Sequence, residues 1–435
     1  MHRAIIFDNI DYPFIFIMKP FFICLLLALS AKITCAQQVA FPGADGFGRF
    51  ATGGRGGLTY HVKNLNDSGE GSFRDAVSRP NRTVVFDIGG VIQIHDKIHV
   101  AEQVTIAGQT APGDGIVIYG NGLSFSSNCI TRYVRFRGSI NMPKGACVVV
   151  VDSVHDVIFD HISVEWGRWD DFHIKDSKNV TVQYSLIGEP IDPQRFGALF
   201  ENPERVTIQH CLWIDNQSRN PKAKAGIEYI NNVVYNWGVN GLVGGHSGAV
   251  HNQDIINNYF IAGPNSGHAF IGMFSATDQV YHNGNYVDMN KDGVLNGRLV
   301  VDTDFVHAEA TLKPTRQNTA MDLKNIESAA DAYATVLAEA GASLHRDAVD
   351  ERIISYLRSL GKEGKIFKSE ADAGGQPKLN SAPAPKDSDG DGMPDAWEKA
   401  NHLDPNNAAD GNAITAGSTY TNLEVYLNSL VPKKK

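Results

Sequence analysis

The stretch "HDVIFDHISVEWGRWDDFHIKDSKNVTVQYSLIGEPIDPQRFGALFENPERVTIQHCLWI", residues 155–214, says nearly the same thing three times. "VIFDHISVEWG", "VTVQYSLIG" and "VTIQHCLWI" are each short alternating apolar runs broken by polar turn residues. Period-two alternation marks a strand, and helical periodicity is weak throughout. The same phrase continues in both directions. "EQVTIAG" and "CITRYVRFRG" precede it; "AGIEYINNVVYNWG", "NQDIINNYFIAG" and "DQVYHNGNYVD" follow. The turns recur at roughly 22 to 26 residues, a spacing that belongs to repeat architectures. A propeller blade needs about 40 residues or more, and a sandwich keeps no fixed period of this length. Three short strands and their turns per coil, stacked on the next coil, fit the spacing. The expected fold is all-β, a right-handed parallel β-helix over 37–300. The paired asparagines, Asn231 with Asn232 and Asn257 with Asn258, suit side-chain ladders running from coil to coil, with plain turn asparagines as the alternative.

The flanking regions read differently. "MKPFFICLLLALSAKITCAQQ" from Met18 carries a lysine, an apolar run from Phe21 to Ala31 and a small-residue cleavage site at Ala36. Residues 1–36 are therefore expected to be a leader, and the product secreted. The apolar run is too short to span a membrane, and no later segment is long enough. Of five cysteines, cleavage would leave Cys129, Cys147 and Cys211, an odd number without metal-ligand spacing, so no disulfide framework is expected. After Arg298 two helical patterns appear within 301–373 and are expected to dock on or beyond the solenoid's end; a Pro- and Gly-containing linker covers 374–386, and an acidic tail fills 387–435.

That tail holds the sharpest local motif. "DSDGDGMPDAWE" places Asp387, Asp389 and Asp391 at positions 1, 3 and 5 of a calcium loop. Gly392 takes position 6, the Met393 carbonyl 7, Asp395 position 9 and Glu398 position 12. The spacing predicts one structural Ca2+ in an EF-hand-like or thrombospondin type 3-like tail, against a solvated acidic linker as the plainer alternative. "GGRGG" at 53–57 lacks the ending of a phosphate loop and reads as a tight turn at the N-terminal cap.

The formal net charge is −9, which argues against a nucleic-acid binder. Inside this acidic chain, "SRNPKAK" packs Arg219, Lys222 and Lys224 together. On charge alone such a trio is as well explained by a solvated flank as by an acidic ligand.

"GFGRFATGGRGG", "LNDSGEGSFRDAV", "VTIAGQTAPGDGI", "VIFDHISVEWG", "SRNPK" and "INNVVYNWG" together resemble polysaccharide lyase family 1, the pectate lyases. The matches run in order over roughly 40–290, and the helical region and tail resemble the C-terminal extension of secreted bacterial members. The resemblance implies calcium-dependent β-elimination on acidic pectic polysaccharide (polygalacturonate) by a secreted monomer. It implies Arg219 as base, from the first arginine of an Arg-x-Pro-Arg motif. Lys222 stands in place of the second arginine, and Lys224 and Arg195 are the further substrate-binding cations. It also implies a calcium site, for which Asp170 and Asp171 are the candidate ligands. Where the family's spacing calls for an aspartate upstream of Asp160, this chain has Cys147, a poor ligand for a hard cation. Glu165 and Asp152 are neighbouring acids that could compensate. Two other readings stay open: a degenerate β-helix that binds uronate chains, and a hydrolase using two carboxylates, with Asp170, Asp171 and the "GGHSG" around His246 as its candidates.

Overall fold

A computed structural model describes residues 37–432, His268 excepted. The leader assigned to 1–36 lies outside the described residues. Three sheets of 11, 8 and 10 strands run the length of the molecule. Their strands pair in parallel, except where Tyr286–Asp288 meets Arg298–Leu299 antiparallel. Each coil gives one strand to each sheet. Asp170–Lys175 lies in the 8-stranded sheet, Lys178–Gln183 in the 11-stranded sheet and Leu186–Gly188 in the 10-stranded sheet. This is the parallel β-helix expected from the repeat.

Register follows the repeated phrase. Val157, Val180, Val206, Ile227, Gln253 and Val280 are successive Cα partners, with the shortest coil between Val206 and Ile227 and the longest between Gln253 and Val280. Because side chains alternate along a strand, this register stacks one apolar residue on another down the bore, with the buried Gln253 the polar exception in this column. Phe125, Phe136, Phe159 and Phe172 fill it edge to face, at 4.9–6.0 Å between ring centroids.

The turn from the 11- to the 10-stranded sheet carries the asparagine ladder. Asn232 Nδ2 donates to Asn258 Oδ1 at 3.0 Å, and Asn258 Nδ2 to Asn285 Oδ1 at 2.9 Å. The backbone N–H groups of Cys211, Asn232 and Asn258 are satisfied by the same side chains. Asn231 and Asn257, the other members of each pair, take positive φ and donate to the Glu327 carbonyl. On earlier coils aromatic residues stack along this turn: Tyr133, His161, Tyr184 and His210, at 4.6–5.0 Å. Asp160 binds Arg132 Nε at 2.8 Å and Gln183 Nε2 at 2.7 Å, joining three coils.

"GGRGG" does not simply turn the chain; it runs along the outer face of the 11-stranded sheet. A Cβ on Gly54 would stand 2.1 Å from the Arg82 carbonyl oxygen, so only glycine allows that approach. The helical segment likewise lies on a flank rather than at the solenoid's end. Helices α1 (Ala329–Glu339) and α2 (Ala348–Arg358) bury Val336, Ile353, Ile354 and Leu357 against Trp166, Leu212, Ile214 and Tyr235, which line the outside of the 10-stranded sheet. Residues 374–386 follow the surface, with Asn380 Nδ2 on Asp114 at 3.0 Å. From Val39 onward the chain forms one compact unit.

Beneath α2 sits a buried ionic cluster. Arg137 is fully buried and donates to Glu165 (3.1 Å), Asp347 (2.5 and 3.0 Å) and Asp350 (2.9 Å), while Arg135 Nε reaches Asp350 at 2.9 Å. Glu165 therefore belongs to this cluster and does not compensate a calcium site. Burial pushes its carboxyl well above the ordinary value, against the pull of Arg137. Removing one partner of such a cluster leaves uncompensated buried charge. Arg137→Met is expected to cost about 3–5 kcal/mol, read from denaturant unfolding monitored by circular dichroism. A loss below about 1 kcal/mol would show that the cluster does not hold α2 in place.

Candidate functional site

The 8-stranded sheet presents its outer face to solvent, and the charged residues gather there. Lys222–Lys224 is a three-residue strand whose middle member, Ala223, points into the core while both lysines point out. Register sets their neighbours. Lys222 pairs with Leu199 and Lys224 with Glu201; Glu201 in turn pairs with Lys175, and Lys175 with Asp152. Acids and bases thus alternate from coil to coil along one row. Lys224 Nζ lies 3.4 Å from Glu201 Oε1, His173 Nε2 lies 3.3 Å from Glu201 Oε2, and Lys175 Nζ lies 3.9 Å from Asp152. Asp152 is thereby committed to this row.

Arg219 enters from the turn before that strand, at a φ of 64°. Its Nη1 donates to both oxygens of Asp170, at 3.0 and 3.1 Å, and its guanidinium stacks 4.0 Å above the Phe196 ring. Asp170 and Phe196 are Cα partners on adjacent coils, so a single register places acid, ring and arginine together. Burial raises the Asp170 carboxyl to about 7, despite the opposing pull of Arg219. Lys222 is mostly buried and donates to His246 Nδ1 at 2.7 Å. Burial, then Arg219, then Lys224 hold its ammonium below the ordinary lysine value. The trio is therefore a crowded, partly desolvated set of cations and not a freely solvated flank.

The other expected residues fall differently. Arg195 pairs with Asp192 of its own turn at 3.2 Å. Asp171 is fully buried; its Oδ1 accepts the Gly167 N–H at 2.7 Å and its Oδ2 has no hydrogen-bond partner among the described residues. Consecutive strand residues point to opposite faces. Asp170 and Asp171 accordingly take different partners and do not converge as a chelating pair. Cys147 is buried beside them. Desolvation first, then the negative charge of Asp170, push its thiol up to about 12. A protonated thiol offers nothing to a hard cation.

Sequence reasoning missed Glu201, His173 and Phe196, and named His246 only as a candidate of the hydrolase reading. The signal was the coil period itself: one period before Lys224 stands Glu201, its partner on the preceding coil. Spacing within one strand could not reveal it.

Two groups of convergent acids occur among the described residues, and both lie in the tail. Asp387, Asp389 and Asp391 form one; Asp391, Glu398 and Asp410 form the other, with ligand atoms within 4.8 Å of one another in each. Asp395, expected as a ligand, turns away instead. It accepts from the Ser388 N–H at 2.8 Å and from Lys386 Nζ at 2.7 Å. No helix among the described residues is long and apolar enough to cross a membrane.

No family model matches the chain. Individual proteins do. A probable pectate lyase C of Aspergillus flavus is 44% identical over 414 residues, covering 94% of this chain and 98% of that protein. One of Aspergillus fumigatus is 43% identical over 411 residues, covering 94% and 97%. These relatives are fungal, although the sequence resemblance had pointed to secreted bacterial members. Among solved structures, a thermostable pectate lyase matches with a TM-score of 0.53 at 15% identity, over 72% of this chain and 99% of that one. The major allergen of cedar pollen matches at 0.51 and 17%, over 67% and 91%. At such identities the structures speak for the fold alone. The sequence relatives, matched over nearly the whole length of both partners, decide the rest: this chain belongs to the pectate lyase family.

Proposed function

We propose that this protein cleaves polygalacturonate by β-elimination on the outer face of the 8-stranded sheet, with Arg219 as the base. The observation that carries this reading is the convergence of Arg219, Lys222 and Lys224 on one face beside the buried Asp170. The α-proton of a uronate residue goes to Arg219, its C–H electron pair forms the carbon–carbon double bond, and the bond from the neighbouring carbon to the glycosidic oxygen breaks, that oxygen taking a proton from solvent water. Negative charge gathers on the uronate carboxylate as the proton leaves, so fixed cations there lower the barrier. Lys222, oriented by His246, and Lys224, paired with Glu201, are the chain's own groups for that task.

Arginine is ordinarily protonated at every accessible pH. The role therefore needs the surroundings to disfavour a second charge. Lys222 and Lys224 stand beside Arg219 on the same face, and its side chain is 18% exposed. Asp170 accepts two hydrogen bonds from its guanidinium, which fixes the orientation of the base.

The residues fit a calcium ion only in part. Asp170 is a hard oxygen donor whose burial outweighs the pull of its two Arg219 hydrogen bonds, whereas Asp171 and Cys147 do not join it. Asp170 would therefore hold the ion together with substrate carboxylates. When bound, calcium supplies positive charge at the reacting uronate carboxylate. We further propose that the mature protein acts as a secreted monomer, with Ala36 as the last residue removed.

Incubation with polygalacturonate, followed by ultraviolet absorbance of the unsaturated uronide, tests the chemistry. Activity is expected to fall at least about 100-fold in Arg219→Ala. A flat trace for the unaltered protein, with calcium, on both pectate and methylated pectin would favour the non-catalytic uronate binder; new reducing ends without the double bond would favour the hydrolase. Lys222→Ala should chiefly raise KM if its charge serves ground-state binding, and chiefly lower kcat if it serves the transition state.

Cys147→Asp would place a third carboxylate next to Asp170 and Asp171. In chelator its melting temperature is expected to fall below that of the parent protein, and calcium should restore it. The same calcium response in the variant and the parent would mean that this pocket holds no ion.

A further inference from the structure

The acidic tail contains an arrangement that pectate cleavage does not use. Glu398, on the short helix α3 (Asp395–Ala400), is fully buried, and neither of its carboxylate oxygens has a hydrogen-bond partner among the described residues. Asp391 is 4% exposed, and its Oδ2 is likewise without a partner. Asp389 Oδ2 and Asp410 Oδ1 complete the set of buried, unpartnered oxygens. Burying a carboxylate without a partner is costly, and four together repel one another as well.

The companion oxygens are tied down. Asp391 Oδ1 accepts the Met393 N–H at 2.8 Å, and the Asp404 N–H donates to Asp410 Oδ2 at 3.0 Å. Asp387 accepts from the Gly390 and Gly392 N–H groups at 2.7 and 2.9 Å. Asp387, Asp391 and Asp410 are thus oriented by backbone before any ligand arrives, whereas both Glu398 oxygens are left to the ligand. A Cβ on Gly411 would fall 2.5 Å from Asp391 Oδ2, so glycine keeps that side of the site open.

We propose that Asp389, Asp391, Glu398 and Asp410, with Asp387 at the rim, form one site for a hard divalent cation of the calcium class, and that the cation locks the tail onto the solenoid. The set is all carboxylate oxygen, the preference of calcium, and it omits Asp395, the ninth residue of the loop motif. Asp410 replaces it from a turn that follows helix α3, so the site joins three segments: loop, helix and turn.

The same segments dock on the body. Thr59 Oγ1 donates to the Asp391 carbonyl at 2.8 Å, and His61 Nε2 lies 3.2 Å from the Gly390 carbonyl. Asn422 Nδ2, on helix α4 (Asn422–Ser429), donates to the Asp410 carbonyl at 2.9 Å. Met393, Leu423, Tyr426 and Leu427 then pack on Val85 and Ala107 of the 11-stranded sheet. Without the cation, repulsion among the acids acts directly on the residues that hold the tail to Leu58–Val62, the edge strand of that sheet. This proposal is independent of the lyase reading, because none of its measurements uses pectate.

The test uses the full mature chain carrying Asp170→Asn, so that calcium binding elsewhere does not intrude. After chelator treatment, calorimetric titration with calcium chloride should give one ion per chain, and calcium should raise the melting temperature and slow proteolytic release of the tail. Terbium should show emission sensitised by Trp397, the neighbour of Glu398. Asp410→Asn is expected to weaken calcium binding at least about tenfold, because affinity follows the charge count of the ligands. Asp395→Asn should retain affinity within about threefold. Absence of binding, a stoichiometry of two, or loss in Asp395→Asn with none in Asp410→Asn would overturn the proposal.

Discussion

Every coil of this molecule must find its hydrogen-bond partners in the coils above and below, and that requirement governs the rest. A parallel strand cannot close its backbone bonds within its own coil, so no coil is stable alone. In-register stacking then repeats each side-chain position along the length of the solenoid. Where the position faces the bore, repetition makes an apolar column. Where it falls at a turn, repetition puts like polar groups side by side, which is tolerable only if they bond to each other. Asn232, Asn258 and Asn285 meet that condition because an amide both donates and accepts.

Outer faces obey the same geometry with different results. On the 10-stranded sheet Arg135, Arg137 and Glu165 would be exposed charges, but helix α2 covers them and supplies Asp350, with Asp347 at its N-cap. On the 11-stranded sheet the glycine-rich N-terminal segment and the acidic tail lie close against the backbone. The 8-stranded sheet keeps a solvent-facing row in which Asp152, Lys175, Glu201 and Lys224 alternate in sign. A polyanion binding there must displace those acids from each cation, whereas Lys222 has only an imidazole acceptor to yield. Under the proposed function, this difference would single out Lys222 as the cation most readily turned toward substrate.

Several readings were legible before any coordinates. The coil period, the asparagine pairs, the basic trio and the acidic loop are local or evenly spaced, and short windows expose them. The roles of Glu165, Asp171 and Asp395 were not legible in the same way. Each is an acid near a suggestive motif, yet Glu165 neutralises Arg137, Asp171 accepts the Gly167 N–H, and Asp395 closes its own loop on Ser388. Composition and spacing describe what a side chain is, not which face of its strand or helix it occupies.

The sequence by itself determined the solenoid, because a repeat that buries one face per strand has few ways to satisfy its backbone. It also determined where cations concentrate, because Arg219, Lys222 and Lys224 are neighbours along the chain. Only the tertiary structure decided their partners: Asp170 from an earlier coil, Glu201 from the preceding one and His246 from the following turn. It alone brought Asp410 to Glu398 and laid the helices along a flank rather than across an end. The physical reason is common to all of these. Stacking register and element docking join residues that no local periodicity relates, and it is those junctions that set charge, burial and proton affinity.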